Sequence, residues 1–206
     1  MLFEDAVKKV GRPPSNENQR EFILDGAAKV FAQKGFDGAS ISDLAASVGM
    51  SKAAIYHYFP NKRELGDAII LRAMQTLVHT VTDKVAQETD ARAQLQTFMV
   101  THAGEFESNP HWFITMLAGF EAMSDGPMKS EAMELRYQYE RFLRQILQTG
   151  IEQGTFREMD VSMAGRAVLS MLSWLARWYR PDGRLSAREI AMTYFEIISS
   201  GFEARI

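Results

Sequence analysis

The chain of 206 residues has no cysteine. Disulfide bonds, thiolate catalysis and cysteine-ligated zinc are therefore excluded, and we expect a protein of the reducing cytoplasm. No apolar run approaches the roughly 18 residues that a membrane-spanning helix needs. The N-terminal residues have acids before their lysines and no long apolar stretch, so we expect no signal peptide. Strict alternation and glycine–asparagine hairpin turns are missing too, which argues against β-strands.

What the chain does have is helical periodicity. Apolar residues make up 46% of it, enough for a hydrophobic core. Their spacing predicts an all-α fold, interrupted where glycine, proline and asparagine provide turns. We expect two domains, a small N-terminal head over residues 1–64 and a larger helical body over 65–206, which join inside one long helix. The predicted helices span residues 16–34, 41–48, 52–58, 62–87, 90–107, 110–124, 127–153, 160–179 and 186–204.

The segment from Ile41 to Arg63 combines two short helices with a turn at Gly49. Ser40 and Ser51 stand at the N-cap positions of these helices. Short helix, turn and short helix form the helix-turn-helix arrangement, which lays its second helix in the DNA major groove. The whole chain has a net charge of -3, but residues 44–63 hold three cations and no acid. Because DNA binding needs a basic face and not a basic chain, the segment predicts a DNA-binding head.

The second helix of this pair has one apolar side and one side suited to nucleic acid. Ile55 and Phe59 recur at i and i+4 and predict packing inside the head. The alanines are small enough for close approach to base edges, whereas lysine, tyrosine and histidine can contact phosphates and bases. Helix N-termini at Ser40 and Ser51 also favour phosphate. Packing inside the head is the alternative for the tyrosines, Tyr56 and Tyr58.

The stretch from Gln19 to Leu65 resembles the tetracycline-repressor (TetR/AcrR) family of bacterial transcription regulators. The similarity is carried by AAKVFAQKGFDGAS and by VGMSKAAIYHYFPNKREL. It implies an all-helical homodimer with a helix-turn-helix head, which leaves its operator when a small ligand enters the body. The resemblance implies that Ser40 contacts a phosphate and that Tyr58 makes a contact at the edge of the DNA-binding site. It implies contacts with bases or phosphates for the other residues of the helix-turn-helix named at the end of this paragraph. Together with Ser51, the predicted DNA contacts in the head are Ser40, Ser42, Lys52, Ala53, Ala54, Tyr56, His57, Tyr58 and Lys62.

The segment KKVGRPP, residues 8–14, precedes the first helix and carries three cations. It resembles the N-terminal arm of some members of the family, which enters the adjacent minor groove. Arg12 would be the inserted residue, favoured where A·T tracts narrow that groove. A tail without regular structure is the alternative.

The body has no catalytic constellation. His79, His102 and His111 lack carboxylates at metal-ligand spacing, and no nucleophile elbow or phosphate-binding glycine loop is present. We therefore expect no enzyme, no metal and no cofactor. Aromatic and methionine residues at helical spacing instead predict a ligand pocket between helices, with ordinary core packing as the alternative. The predicted lining is Phe98, His102, Trp112, Phe113, Met116, Phe120, Tyr137, Arg141 and Trp174.

The last two predicted helices, 160–179 and 186–204, indicate a homodimer interface. The first carries small residues at a spacing of three, and the second carries a wide apolar stripe. Two such helices from each subunit would form a four-helix bundle around a twofold axis. Packing within one chain is the alternative.

The segment WYRPDGRLSAREIA, residues 178–191, resembles the tail of family members that sense acyl-CoA thioesters. Arg177, Arg180 and Arg184 would suit a phosphorylated ligand, although they would equally serve as helix C-terminal and surface charges. The sequence thus predicts a DNA-binding repressor released from a palindromic operator by an acyl-CoA thioester or another hydrophobic metabolite. The alternatives are a ligand-independent architectural DNA-binding protein and, with no motif to support it, a helical-bundle enzyme.

Overall fold

The computed structural model describes residues 16–202, and in this range the fold is all-α, as the sequence predicts. The predicted helix over 110–124 differs most, because it ends at Gly119 and continues as a 3-10 turn over Phe120–Ala122. The helices are α1 Asn16–Gly38, α2 Ile41–Ser47, α3 Lys52–Tyr58, α4 Lys62–Val85, α5 Ala91–Ser108, α6 Pro110–Gly119, α7 Pro127–Glu152, α8 Val161–Trp178 and α9 Ala187–Phe202.

Short polar side chains start several of these helices. Ser51, Asn61, Asp90 and Asp160 each accept a hydrogen bond from the backbone amide three residues further on, which satisfies one of the unpaired amides of the first turn. Gly35 has φ 72° and interrupts α1 where the sequence predicts its end, because glycine adopts this left-handed backbone without steric cost.

Two hydrophobic cores share α4. The head core joins buried residues of α1, α2 and α3 to the first turns of α4, as far as Ile69. The body core starts at Ile70 and continues through the remaining helices to Phe195. The change from one core to the other therefore falls within a continuous helix, as does the predicted boundary at residue 64. Within the described range, none of the helices has the length and hydropathy needed to cross a bilayer.

The body packs around α5. This helix contacts α4, α7, α8 and α9, and it is also in contact with α6. Besides α5, helix α6 contacts α1 of the head and α4. Helix α6 is therefore a body element that contacts both the head and the interior of the body.

Candidate DNA-binding surface and ligand cavity

The turn between α2 and α3 is tightly closed. Gly49 has φ 65°, and the amide of Met50 donates to the carbonyl oxygen of Ala45 at 2.9 Å. Helix α1 lies directly against this turn, because a Cβ atom built on Gly26 would overlap Cγ1 of Val48. These contacts fix the position from which α3 leaves the turn.

Helix α3 is anchored by its apolar side. Ile55 and Phe59 are 0% and 2% exposed. The opposite side carries Lys52, Tyr56 and His57, which are exposed, Tyr56 by 48%. The polar side of α3 is therefore presented to solvent.

The other predicted DNA contacts of α2 and α3 differ in exposure. Ser42 and Ala53 are exposed, whereas Ala54 and Tyr58 are half-buried. The ring of Tyr58 packs edge-on against His57, with 5.2 Å between the ring centroids. Tyr58 thus lies at the margin of the exposed surface, where its edge can still be reached.

The two N-cap serines are bonded differently. The Ser40 hydroxyl donates to the Asp43 carboxylate at 2.6 Å and accepts from the Asp43 amide at 3.2 Å. Lys34 donates to the same carboxylate at 2.6 Å, and this hydrogen bond, with those from Ser40, holds the pKa of Asp43 well below its usual range. A phosphate contact by Ser40 would compete with this carboxylate. The Ser51 hydroxyl accepts from the Ala54 amide at 3.1 Å and donates to no group among the described residues, so its proton can be donated to phosphate.

Lys62 is used inside the head. Its Nζ atom donates to the carbonyl oxygens of Phe36 at 2.8 Å and Ala39 at 2.9 Å, and it lies 4.5 Å from the centre of the Phe36 ring. The ammonium group therefore ties the start of α4 to the junction between α1 and α2. We leave Lys62 out of the DNA-binding surface for this reason. Arg12 lies outside the described residues.

The body contains a cavity of about 670 Å³ between α4, α5, α6, α7 and α8. Four predicted residues line it, namely His102, Phe113, Met116 and Phe120. A volume of this size accommodates a drug-sized molecule. The other lining residues were not predicted from the sequence, and they are Met74, Leu77, Leu117, Glu121, Arg136, Tyr139, Glu140, Arg166, Leu169, Ser170 and Ser173.

The buried wall of the cavity contains a histidine–tyrosine pair. Nδ1 of His102 lies 2.8 Å from the hydroxyl oxygen of Tyr139, and both residues are 3% exposed. Burial lowers the pKa of His102 to about 3 and raises the pKa of Tyr139 well above its usual value, so both side chains are neutral at pH 7. Nε2 of His102 is buried and has no hydrogen-bond partner among the described residues.

The solvent end of the cavity is charged. Arg136 pairs with Glu121 at 3.0 Å and with Glu140 at 3.4 Å. Arg166 on α8 is exposed and has no ion pair within the described part of the chain. The cavity therefore has a neutral interior and a mouth where one guanidinium group is available.

Two predicted pocket residues on α7 lie on the wrong face of that helix. Tyr137 is 56% exposed, and Arg141 is exposed with its guanidinium 5.7 Å from the Tyr137 ring. The face that reaches the cavity carries Arg136, Tyr139 and Glu140 instead. Tyr139 continues the repeat of buried residues along α7, and this repeat was the signal that could have identified it.

Three further predictions for the pocket need correction. Trp174 is 63% exposed and lies on the outer face of α8, away from the core. Phe98 is fully buried behind the cavity wall, stacked on Tyr139 with 4.8 Å between ring centroids. Trp112 lines a separate cavity of about 210 Å³ between the head and the body.

Helix α6 connects the large cavity to the head. Phe113 and Met116 line the cavity. From the same helix, the Trp112 indole donates to the Asp25 carboxylate of α1 at 2.8 Å, and the Thr115 hydroxyl donates to a backbone carbonyl of α1 at 3.3 Å. Movement of α6 away from the cavity would therefore disturb its bonds to the head.

Large apolar side chains are exposed along one face of α8, whereas the exposed positions of α9 are mostly polar. Met163, Trp174 and Trp178 recur along one face of α8 and are 58%, 63% and 45% exposed, and Ile197 of α9 is 63% exposed. Large apolar side chains grouped on one surface mark an interaction site. By contrast Ile190, which belongs to the apolar stripe of the predicted interface helix 186–204, is buried in the body core. The three arginines at residues 177, 180 and 184 are exposed and do not line the large cavity.

Two family models match separate parts of the chain. Residues 23–69 match the family model described as bacterial regulatory proteins, tetR family. Residues 88–202 match the tetracyclin repressor-like, C-terminal domain. The HTH-type transcriptional repressor KstR2 of Rhodococcus jostii strain RHA1 is 26% identical over 196 residues, which cover 92% of this chain and 96% of the relative.

Solved structures give the same result. The TetR family transcriptional regulator PfmR from Thermus thermophilus is 44% identical, with a TM-score of 0.82 and coverage of 88% of this chain and 99% of that one. AibR, solved in complex with isovaleryl coenzyme A and operator DNA, is 25% identical, with a TM-score of 0.76 and coverage of 87% and 97%. The chain therefore belongs to the tetR family of bacterial regulatory proteins and is a DNA-binding transcription regulator, not an enzyme.

Proposed function

We propose that this protein is a homodimeric repressor, which binds a palindromic operator through α3 and is released when a small molecule occupies the body cavity. The observation that carries the proposal is the role of α6, which lines the cavity with one side and bonds to the head with the other. The repressor activity named for KstR2 supports the repressor role, and the complex of AibR with isovaleryl coenzyme A and operator DNA supports a coenzyme A thioester as the ligand class.

The proposed DNA contacts lie on the exposed side of the helix-turn-helix. Lys52, Tyr56 and His57 would enter the major groove, and the hydroxyl proton of Ser51 would be donated to a phosphate. Ser40, Ser42, Ala53, Ala54 and Tyr58 would lie along the margins of the same surface. Arg12 would reach the minor groove from the arm.

The proposed dimer covers the exposed apolar face of α8 and α9. Trp174, at the middle of the α8 face, would be buried against the second subunit. A twofold pair of heads must reach successive major grooves, whose separation is about 34–36 Å, so each operator half-site would lie one helical turn from the other. The subunit contact on α8 and α9 would set this separation.

The proposed ligand is largely apolar, and the acyl-CoA thioesters are its leading class. The apolar wall of the cavity suits an acyl chain, and Arg166 at the mouth suits a phosphate of coenzyme A. A ligand that displaces α6 would weaken DNA binding only in proportion to its preference for the displaced state. The cavity favours this ligand-responsive mechanism over the ligand-independent architectural alternative.

A gel-shift experiment tests the proposal. Full-length protein is used to select an operator from random duplex DNA, and we expect a two-part site with half-sites one turn apart. Isovaleryl-CoA should then weaken binding to this operator, whereas free coenzyme A should not. Sequence-independent binding that no acyl-CoA alters, together with an unchanged melting temperature, would favour the architectural alternative.

A further inference from the structure

The paired and unpaired nitrogens of His102 indicate what the cavity binds. His102 lines the cavity, and Tyr139 engages its Nδ1 atom at 2.8 Å. The other ring nitrogen, Nε2, is buried without a hydrogen-bond partner among the described residues. Buried polar groups are nearly always paired, because an unpaired one costs the full loss of its hydration. Among the described residues that line the cavity, Nε2 is therefore the buried side-chain polar atom whose hydrogen bond is left for a bound molecule to make.

The rings that pack against the pair are aromatic. The Phe113 ring lies edge-on to His102 at 5.4 Å, and Phe98 stacks on Tyr139 at 4.8 Å. The pair is buried, and this burial keeps the imidazole neutral. The charge that acts on it is the carboxylate of Glu105, which helps to raise the pKa of Tyr139. The two arginines that line the cavity are exposed, so neither is buried with the pair to neutralise an anion there.

We propose, building on the proposed function, that His102 and Tyr139 form a subsite for a neutral oxygen of the ligand: a ketone, ester or thioester carbonyl, or a hydroxyl group. When the Tyr139 hydroxyl donates to Nδ1, Nε2 carries the proton and donates to the ligand oxygen. The rest of the ligand lies along the apolar wall formed by Leu77, Met116 and Leu169. A free carboxylate is rejected at this subsite because it would lose its hydration without gaining a countercharge.

This assignment distinguishes a thioester or ketone from the corresponding acid by chemistry and not by size. A chain of equal length fills the same apolar wall in both cases. Only the oxygen that meets Nε2 differs, being neutral in one molecule and anionic in the other. The subsite would thus let the protein respond to an activated or uncharged metabolite while the free acid is present.

Calorimetric titration of the full-length protein with three twelve-carbon probes tests the proposal. The probes are 2-dodecanone, 1-dodecanol and dodecanoate. We expect the ketone and the alcohol to bind at least about tenfold more tightly than the carboxylate, which corresponds to one net hydrogen bond plus the cost of burying the anion. Equal binding of ketone and carboxylate, or no binding of the ketone up to its solubility limit, would overturn the assignment.

Variants locate the effect. His102→Phe should lower ketone affinity by about tenfold, the worth of one hydrogen bond. Tyr139→Phe removes one hydroxyl and keeps the ring stacked on Phe98. This variant should lower the affinity for the ketone by less than His102→Phe does. Met116→Leu, a volume-conserving change in the apolar wall, should alter the three affinities equally. If His102→Phe leaves the preference for the ketone unchanged, the subsite is elsewhere.

A spectroscopic measurement separates hydrogen bonding from packing. In ¹⁵N-labelled protein, the imidazole signals of His102 should show the Nε2-protonated tautomer, and the Nε2–H signal should shift when 2-dodecanone is added. An unshifted signal from a protein that binds the ketone contradicts the proposed contact. Gel shifts of the same variants with the selected operator report on the proposed function separately, since failure to bind DNA would refute that function and not the subsite.

Discussion

Replacing Lys52 by methionine tests whether the N-terminus of α3 meets the DNA backbone. Lys52 is exposed and has no ion pair among the described residues, so its charge is available to a phosphate. Each phosphate neutralised by a protein contributes about 0.9 to the slope of log affinity against log salt. A dimer carries this lysine twice, so the slope should fall by about 1.8 in the variant. Between about 50 and about 200 mM salt, the affinity difference between the two proteins should therefore shrink by about twelvefold.

Fluorescence anisotropy with a labelled operator at several salt concentrations measures this slope. Lys84→Met, near the far end of α4, removes the same charge outside the head and serves as the matched control. Its slope should equal that of the unmodified protein. Parallel salt dependences for Lys52→Met and the unmodified protein would refute the contact, even if Lys52→Met bound more weakly at every concentration.

Three further substitutions probe the rest of the molecule. Gly26→Ala should destabilise the protein by about 1–3 kcal/mol in urea unfolding, because the added methyl overlaps Val48; Gly201→Ala, which has open space around it, should not. Lys62→Met should cost about 2 kcal/mol in the same assay by leaving two backbone carbonyl oxygens unpaired; an unchanged unfolding curve would show that these bonds contribute nothing. Trp174→Glu should produce monomers in analytical ultracentrifugation and weaken operator binding, and a persistent dimer would place the interface elsewhere.

Much of the fold could be predicted from local chemistry. Ser51 and Asn61 mark helix starts because a short polar side chain can pair with a first-turn amide. Gly35 and Gly49 mark interruptions because their backbones are left-handed. Each of these signals depends on residues that are three or four positions apart in the chain. Helix starts and interruptions can therefore be predicted without knowing the tertiary structure. The all-α class predicted from helical patterning, and the family resemblance carried by the matching segments of residues 19–65, are both confirmed.

The cavity was harder to predict because it depends on the rotation of each helix. On α7 the exposed face carries Tyr137 next to the buried Tyr139, and an apolar residue on each face leaves the orientation ambiguous. The prediction that Trp174 lines the pocket has a similar origin. A large aromatic residue suits a subunit contact as well as a pocket, and its residue type does not distinguish the two. Lys62 illustrates a different limit. Its carbonyl partners lie more than twenty residues away in the chain, so a position suited to DNA contact was used for the interior of the head.

The continuous α4 has a geometric consequence for gene control. A helix of 24 residues is about 36 Å long, and a tilt of about 5° at one end moves the other end by about 3 Å. Such a displacement exceeds the tolerance of a hydrogen bond to a base edge. The same helix belongs to both hydrophobic cores, and no flexible linker separates them. A change in the angle of α4 within the body is therefore transmitted to the head. In the proposed dimer, a modest rearrangement around a bound metabolite would thus put the two heads out of phase with the double helix while each head stays intact.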